Sequence, residues 1–273
     1  MRALAPSLLA CACAVPLAAA RAQAPDVAVR AVSEYAVARA GDAFRVAVRL
    51  DVPEGWHIGW INPGASGLPT TLAWRLPDGV SGGATDWPYP ETDESGADVL
   101  NVYRGTVIVF STFHTTAGLH GAATLSGDLS WGICRGVCIQ QHRTVSVALR
   151  VTGEGGPRAP AWAEDEAATR RLPMREHGAA FEATRAGDGI RLTITGLKAG
   201  PAAGSWATFF PAAGGRASVV SRVQAAAGGI AVTLPGAVVA DTATALVGVL
   251  VAAHPPGAPP PVRAIAVDTP LHR

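Results

Sequence analysis

Residues 121–151 read GAATLSGDLSWGICRGVCIQQHRTVSVALRV and form the most regular stretch of the sequence. Apolar side chains alternate with polar ones from Ala123 to Trp131 and again from Thr144 to Val151. Alternation with a period of two predicts half-buried β-strands. Two such strands joined by a short connection predict an antiparallel hairpin. The Cys-x-x-x-Cys loop of Cys134 and Cys138 would then lie at the hairpin tip, held by the strands and open to partners.

Strand patterns continue on both sides of this hairpin. Before it, they cover Asp26–Val37, Ala43–Leu50, Thr70–Arg75 and Thr106–Phe113. After a Gly- and Pro-rich linker at 152–160, Ala161–Arg171 has the composition of a helix. Further short strand patterns then follow at Ile190–Thr195, Trp206–Phe210, Ser218–Val223, Ile230–Leu234, Leu246–Ala252 and Arg263–Val267. The sequence therefore predicts an all-β protein with two β-sandwich domains, residues 25–152 and 161–273, and a short linking helix.

The N-terminus has the pattern of a targeting segment. Arg2 supplies a positive charge, residues 4–17 form a short apolar run, and small residues follow it. This pattern predicts a secretory signal peptide over residues 1–22, with cleavage after Ala22 or Ala20. A lipoprotein anchor at Cys11 is the alternative. Either way we expect an exported protein in an oxidising compartment, with Cys134 and Cys138 as its mature cysteine pair.

Overall composition narrows the functional classes. The 273 residues are 49% hydrophobic and 16% charged, with 22 Lys plus Arg against 21 Asp plus Glu. There is no basic stripe and no block of like charge. This balance argues against nucleic-acid binding and against a purely electrostatic role at a membrane surface.

A close cysteine pair is a weak structural staple. Closing a loop of about five residues stabilises a fold by only ~2 kcal/mol, against ~4.7 kcal/mol for a loop of about 100 residues. Short and exposed disulfides are the exchangeable ones. Arg135, His142 and Arg143 lie near the pair in sequence, and positive neighbours favour the reactive thiolate. A redox-active disulfide is the favoured interpretation, and an inert structural disulfide in a scaffold protein stays open.

A copper site is the second interpretation. Cys134, Cys138 and His142 reproduce part of the ligand spacing of the binuclear copper site of cytochrome oxidase, and thiolates with imidazole select copper. That site also has a Met three residues after its His, where this chain has Val145. A zinc site would need more Cys or His ligands, and a Cys–His hydrolase would have only His142 as its base.

Two other groups of residues are expected to have structural roles. His57 lies between Trp56 and Ile58, which indicates a histidine packed in a loop. Four acidic side chains are predicted to form a solvated loop, and this loop could fold over the cysteine pair. The four residues are Glu91, Asp93, Glu94 and Asp98.

With these motifs in hand, the chain resembles the periplasmic N-terminal region of DsbD-type thiol:disulfide interchange proteins, in particular the suppressor-of-copper-sensitivity branch. The resembling motifs of the first unit are Trp56-His57, Trp60, Asn62-Pro63-Gly64-x-Ser66-Gly67-Leu68-Pro69, Trp74, Leu76-Pro77-x-Gly79, Trp87-Pro88-x-Pro90, Val102-Tyr103-x-Gly105 and Trp131-x2-Cys134-x3-Cys138. Weaker likenesses in the second unit are Phe209-Phe210-Pro211 and Leu246-Val247-Gly248-Val249-Leu250.

The resemblance implies immunoglobulin-like sandwiches and a cysteine pair that accepts electrons and passes them to periplasmic thiol proteins. It implies that Cys138 forms the mixed disulfide, that Cys134 resolves it, and that a cap loop over Asp93–Tyr103 shields the pair. This cap lacks the aromatic side chains of some relatives, since Gly96-Ala97-Asp98 stands there. Full-length relatives continue into a membrane domain and a thioredoxin-like domain, whereas this chain stops at Arg273, so we expect a separate membrane electron donor.

These patterns lead to one functional expectation. The protein is expected to relay electrons in the periplasm through Cys134 and Cys138, with thioredoxin-like or disulfide-bond proteins as partners and with neither a cofactor nor a metal. If the exchange is catalytic, the activity is that of a thiol:disulfide oxidoreductase of the protein-disulfide reductase type. The alternative is a periplasmic copper-binding or copper-delivery module that uses Cys134, Cys138 and His142.

Overall fold

A computed structural model describes residues 25–94, 98–198, 201–214, 218–252 and 264–273 of the chain. The predicted signal peptide, residues 1–22, lies outside these ranges. Within them, strands make up most of the regular structure, and a short α-helix separates two groups of strands. No helix in these ranges is long and apolar enough to cross a membrane.

The first group of strands forms two packed sheets. Its strands are β1 (Ala28–Ser33), β2 (Val37–Arg39), β3 (Ala43–Asp51), β4 (His57–Gly59), β5 (Thr71–Arg75), β6 (Val80–Asp86), β7 (Glu91–Asp93), β8 (Leu100–Tyr103), β9 (Thr106–Thr115), β10 (Gly121–Arg135) and β11 (Val137–Thr152). One sheet has the order β1-β3-β9-β6, and the other has the order β2-β11-β10-β4-β8-β7 with β5 also paired to β10. Their facing sides bury one apolar core, which includes Phe44, Phe113 and Trp131. Two sheets over one core make a β-sandwich.

The predicted hairpin is confirmed as β10 and β11, which pair without interruption from Gly121 opposite Val151 to Arg135 opposite Val137. The prediction that the two cysteines lie in a loop at its tip was wrong. Cys134 and Cys138 lie inside the strands as a directly opposed pair, and Gly136 alone separates the strands. Gly136 has a φ of 79°, a conformation that glycine adopts without steric cost and that makes this tight reversal possible.

The region between β3 and β9 contains strands that sequence patterns did not predict. β4, β7 and β8 have only three or four residues each, too few to show a clear alternation. β6 is interrupted by Gly82 and Gly83, both with positive φ, and its register with β9 shifts between Gly82 and Ala84. The predicted strand over Asp26–Val37 is also divided, because β1 joins one sheet and β2 joins the other.

The predicted helix lies where expected but has two parts. An α-helix, α1, covers Trp162–Glu166, and a 3-10 helix continues it over Ala167–Arg171. The ring of Trp162 is fully buried and packs edge-on against Phe110, with 5.6 Å between ring centres. The buried carboxylate of Asp165 accepts a hydrogen bond of 2.8 Å from Arg30. These contacts fix the helix on the outer side of the β1-β3-β9-β6 sheet.

The second group of strands forms the other sandwich. Its strands are β12 (Ala180–Ala186), β13 (Gly189–Thr195), β14 (Trp206–Pro211), β15 (Val219–Arg222), β16 (Gln224–Ala226), β17 (Gly229–Pro235), β18 (Ala245–Ala252) and β19 (Ala264–His272). They follow the order β15-β14-β18-β19-β12-β13-β17-β16. One half of this order contains β15, β14, β18 and β19, and the other contains β12, β13, β17 and β16. The two halves fold over a core that includes Leu192, Phe209 and Leu250. The Ser221 hydroxyl on β15 donates a 2.9 Å hydrogen bond to the Thr233 carbonyl on β17, from one half to the other.

The predicted fold class, two β-sandwiches in tandem with a short linking helix, is therefore confirmed. β12 and β16 were not predicted. The domain boundaries, residues 25–152 and 161–273, stay predictions.

The two sandwiches share a packed and hydrogen-bonded contact. The ring of Trp60 lies edge-on to Phe210, with 6.2 Å between ring centres. The Asn62 side-chain amide donates a 2.7 Å hydrogen bond to the carbonyl of Pro211. Asn101, which is fully buried, accepts a hydrogen bond from the backbone N–H of Ser218. The second sandwich therefore supports the loop after β4 and the start of β8, which are elements that also frame the cysteine pair.

Candidate functional site

The cysteine pair is a disulfide whose two sulfur atoms have different surroundings. Cys134 and Cys138 are bonded, and their Cα atoms are 4.1 Å apart. Cys134 is only 4% exposed, whereas Cys138 is exposed. Val137, next to Cys138 at the hairpin tip, is 68% exposed. A molecule that approaches the disulfide from solvent therefore meets Cys138 first.

His57 lies on the other side of the pair and was not predicted to be part of the site. It is directly opposite Cys134 in the pairing of β4 with β10. Directly opposed residues in an antiparallel sheet have side chains on the same face, so Cys138, Cys134 and His57 form a row across three strands. The interpretation of His57 as a packed loop histidine was therefore wrong, because it lies in a strand beside the disulfide.

An acidic side chain continues this row. The Asp93 carboxylate lies 3.5 Å from Nδ1 of His57 and accepts a 2.6 Å hydrogen bond from Arg104. Asp93 is only 7% exposed and belongs to β7, so the prediction of a solvated acidic loop was wrong for this residue. A buried carboxylate needs such partners, because an unpaired buried charge is costly.

The protonation of His57 is shifted by its position. Burial lowers the pKa of His57 below its usual value. The Asp93 carboxylate opposes this by raising the pKa, and the Arg104 guanidinium lowers it further. Neutral imidazole is therefore favoured beside Cys134.

This lowered pKa predicts a pH-dependent stability. In the unfolded chain, His57 takes up a proton near its ordinary pKa of about 6.5, whereas the folded protein resists that protonation. The unfolded state then binds more protons as the pH falls, so the free energy of unfolding decreases below about pH 6.5. We expect His57→Gln to lose stability less steeply than the unchanged protein between about pH 7 and pH 5. Urea denaturation at both pH values measures this, and equal slopes for the two proteins would contradict the assignment.

A loop covers the sheet face next to Cys134. Gly132 and Cys134 are two residues apart on β10 and so share one face of the sheet. A Cβ on Gly132 would come within 2.3 Å of the Leu68 Cβ, and a Cβ on Gly59 would come within 2.2 Å of the Leu68 carbonyl oxygen. The loop after β4 therefore packs directly on the backbone beside the disulfide, which helps to bury Cys134.

The predicted cap is described only at its two ends, because residues 95–97 lie outside the described ranges. At one end, Asp93 contacts His57 and Arg104. At the other end, a Cβ on Gly64 would come within 2.9 Å of the Val99 carbonyl oxygen, so the stretch runs against the loop after β4. The Asp93 end thus lies beside His57 in the row with the cysteines, and the Val99 end lies against the loop after β4.

The positive residues near the pair have different surroundings. The Arg135 guanidinium carbon lies 4.6 Å from the centre of the Trp56 ring, which holds this charge at the hairpin tip. Arg143 is paired with Asp26 at 2.8 Å. His142 is opposite Ser130, four residues along β11 from Cys138, which corresponds to about 13 Å along a strand.

The structure therefore does not bring together the predicted copper ligands Cys134, Cys138 and His142. In the part of the chain that the structure describes, no group of three or more His, Cys, Asp or Glu residues could hold a metal ion.

Sequence reasoning missed His57, Arg104 and Leu68 as parts of this site, and it placed Asp93 only at the start of the expected cap. Their positions depend on β4, β7 and β8, which are too short to predict from alternation. The sequence signal for His57 was the Trp56-His57 motif. This motif is part of the family resemblance, but it does not by itself indicate a position beside Cys134.

Comparison with known proteins gives two informative matches. The family model for the N-terminal region of the thiol:disulfide interchange protein DsbD matches residues 23–149. The crystal structure of the N-terminal periplasmic domain of ScsB from Proteus mirabilis has a TM-score of 0.57 and 17% identity, and the match covers 90% of this chain and 93% of that one. At this identity, the ScsB likeness shows a shared fold.

A pilin fragment gives a much weaker structural match. The C-terminal 35 kDa fragment of the major pilin GBS80 of Streptococcus agalactiae has a TM-score of 0.29 and 8% identity, over 90% of this chain and 91% of that one. No curated protein has a sequence that matches this chain significantly.

The site offers one clear chemistry. An exposed sulfur bonded to a buried one can accept a thiolate and release its partner as the leaving group.

Proposed function

We propose that the protein is a periplasmic thiol–disulfide exchange protein, because residues 23–149 match the family model for DsbD-type N-terminal domains. It relays electrons through Cys134 and Cys138 between a membrane or soluble reductant and periplasmic thiol proteins. Its partners are thioredoxin-like or disulfide-bond proteins, and its activity is that of a thiol:disulfide oxidoreductase.

The observation that carries this proposal is the unequal exposure of the two cysteine residues. Cys138 is exposed near the tip of a long hairpin, whereas Cys134 is 4% exposed. A purely structural disulfide needs no such asymmetry, and the short loop that this bond closes contributes only about 2 kcal/mol to stability. An exchanging disulfide needs one sulfur that a partner can reach and a second that only its neighbour can reach.

Reduction of the pair proceeds in two balanced steps. A thiolate of the reduced partner attacks Sγ of Cys138, the Cys134–Cys138 bond breaks, and its electron pair leaves on Cys134 as a thiolate. The partner's second thiolate then attacks the partner sulfur that is bonded to Cys138. The partner's own disulfide forms, and Cys138 leaves as a thiolate. Two electrons have passed to the pair, and the partner has become a disulfide.

Oxidation of the pair reverses these steps with the next partner. The Cys138 thiolate attacks the disulfide of an oxidised protein and forms a mixed disulfide. The Cys134 thiolate then attacks Sγ of Cys138, restores the Cys134–Cys138 bond and releases the reduced product. Cys134 is suited to this resolving step, because it is directly opposite Cys138 and shielded from competing thiols.

Periplasmic location is part of the proposal. It is supported by the predicted signal peptide, by the disulfide, which persists in oxidising compartments, and by the match to the DsbD N-terminal family model. The copper-binding alternative gains no support, because His142 lies four residues along β11 from Cys138.

A relay assay tests the proposed function. A reduced thioredoxin-like donor and an oxidised thioredoxin-like acceptor are mixed with substoichiometric amounts of this protein. We expect electron transfer to accelerate in proportion to the protein, and we expect Cys138→Ser to give no acceleration. Absence of acceleration by the unchanged protein would refute the relay.

A further inference from the structure

Closure of the disulfide requires that Cys134 lose a proton in a place that solvent hardly reaches. A cysteine attacks another sulfur only as its thiolate, and apolar surroundings disfavour that charged form. Cys134 is 4% exposed, and Leu68 packs on the face of the sheet beside it. The resolving step therefore needs a base inside the protein that can take the proton of Cys134.

His57 lies at the place where this base is needed. In an antiparallel pair, opposed residues that do not hydrogen bond to each other have Cα atoms about 4.5 Å apart, and bonded ones about 5.5 Å. The 4.1 Å between Cys134 and Cys138 is the non-bonded spacing, so the backbone N–H and C=O of Cys134 point to the other side, toward His57 on β4. The Cα atoms of Cys134 and His57 are then about 5.5 Å apart, with both side chains on one face, which is within reach of an imidazole ring.

Asp93 determines which ring nitrogen can serve the cysteine. Its carboxylate lies 3.5 Å from Nδ1 of His57 and also accepts a 2.6 Å hydrogen bond from Arg104. A proton on Nδ1 points to this carboxylate, so Nε2 carries the lone pair of the neutral ring. That lone pair can accept a proton, and the carboxylate then stabilises the imidazolium.

The other charged groups packed around His57 are less suited to the transfer. Arg104 contacts both Asp93, at 2.6 Å, and Glu91, at 3.6 Å. Glu94, the residue after Asp93, is exposed. A carboxylate has an ordinary pKa of about 4, too low to hold the proton of a thiol, whereas the ordinary pKa of imidazole is about 6.5 and suits proton transfer at neutral pH.

The positive charge at the hairpin tip does not replace His57. Arg135 follows Cys134 directly, and adjacent side chains of a strand point to opposite faces of the sheet. Its guanidinium carbon lies 4.6 Å from the centre of the Trp56 ring. The imidazolium that forms on His57 is therefore the positive charge that stands beside the thiolate of Cys134.

We propose that His57 is the base that takes the proton of Cys134 when the mixed disulfide is resolved, and this inference rests on the proposed function. The thiol proton of Cys134 passes to Nε2 of His57. The thiolate then attacks Sγ of Cys138, and a bond forms between the two sulfur atoms. The bond from Cys138 to the partner breaks, with its electron pair on the partner's sulfur, and the proton leaves His57 for solvent.

The same residue serves the reverse reaction. When a reduced partner opens the disulfide, the electron pair leaves on Cys134, and the thiolate that forms there takes its proton through His57. Burial lowers the pKa of His57, which keeps the ring neutral at pH 7 and able to accept the proton of Cys134 in the resolving step.

The rate of the resolving step tests the proposal. The reduced protein is mixed with an excess of the disulfide of thionitrobenzoate, which forms a mixed disulfide at Cys138 and releases one coloured thiol. Attack by Cys134 releases the second, in a step whose rate does not depend on the reagent concentration. His57→Gln keeps a polar side chain for Asp93 but cannot take a proton. His142→Gln is the matched control, because His142 lies four residues along β11 from Cys138.

At pH 7, we expect His57→Gln to release the second coloured thiol at least about tenfold more slowly than the unchanged protein and His142→Gln. The difference should narrow as the pH rises toward about 9, because hydroxide then removes the thiol proton without a protein base.

Two results would overturn the proposal and leave the proposed function intact. One is an equal rate for His57→Gln and the unchanged protein at pH 7. The other is a rate that is lower by the same factor at every pH, which would show that His57 only holds the site in shape. Absence of the second release from the unchanged, folded protein would refute the proposed function itself.

A second measurement leaves His57 unchanged. Cys138→Ser keeps Cys134 as a free thiol, and the nitrogen NMR signals of the His57 ring are followed through a pH titration of this variant and of the disulfide form. We expect the variant to show an additional step between about pH 7 and pH 10, when Cys134 loses its proton. The disulfide form, which has no thiol at this position, should lack that step. Identical titrations of the two forms would overturn the proposal.

Discussion

Alanine in place of Cys134 is expected to leave the protein covalently attached to its partner, whereas alanine in place of Cys138 is expected to abolish exchange. The reason is the difference in exposure between the two residues, because Cys134 is 4% exposed and Cys138 is exposed. Without Cys134, the mixed disulfide at Cys138 has no neighbouring thiolate to resolve it. Without Cys138, the remaining thiol is shielded by the sheet and by the loop that contains Leu68.

The measurement uses a thioredoxin with a single cysteine, activated as its mixed disulfide with thionitrobenzoate. Reduced Cys134→Ala should release the coloured thiol and give a stable cross-linked product on a non-reducing gel. Reduced Cys138→Ala should give almost none in the same time. The unchanged protein should release the coloured thiol but resolve the product. Equal cross-linking by the two variants would show that the buried sulfur is as reachable as the exposed one, contrary to the site described here.

Alanine in place of Gly59 is expected to lower the free energy of unfolding by about 1–3 kcal/mol, the range for overpacking a tight interior contact. The added Cβ would lie 2.2 Å from the Leu68 carbonyl oxygen, so the backbone of the covering loop must move. Because this loop lies beside Cys134, its displacement should also expose that sulfur. Alkylation of Cys134 in the reduced protein should therefore become faster.

Gly118→Ala is the control, because a Cβ at Gly118 would meet nothing within 4 Å. We expect that change to alter stability by no more than about 0.5 kcal/mol. Urea denaturation measures both variants. If Gly59→Ala proved as stable as Gly118→Ala, the loop would not be held against β4, and the shielding of Cys134 would need another cause.

The main features of the fold could be predicted from the sequence because long strands alternate clearly. The hairpin of β10 and β11 was predicted from its period-two pattern, and the helix near Trp162 from its composition. The short strands β4, β7 and β8 could not be predicted, because three or four residues in a Pro- and Gly-rich region carry no usable period. Their pairing depends on contacts across the sheet, such as that between His57 and Cys134.

The candidate site could be predicted only at its centre. Spacing alone identified Cys134 and Cys138 as the pair, but did not indicate which sulfur is buried. Asp93 was assigned to a solvated loop, because an acidic cluster in sequence does not indicate that Arg104, eleven residues later, pairs with one of its members. The copper interpretation treated His142 as a neighbour in space, whereas a continuous strand separates it from Cys138.

The reduction potential of the Cys134–Cys138 bond, measured in the folded protein, tests the central claim most directly. The protein is equilibrated in glutathione or dithiothreitol buffers of known potential, the fraction of free thiol is determined by mass spectrometry, and circular dichroism follows the fold. An exchanging disulfide should open at a potential above about −300 mV while the β-sandwich signal is unchanged. A bond that stays closed below about −300 mV, or that opens only when the protein unfolds, would identify it as structural and contradict the account.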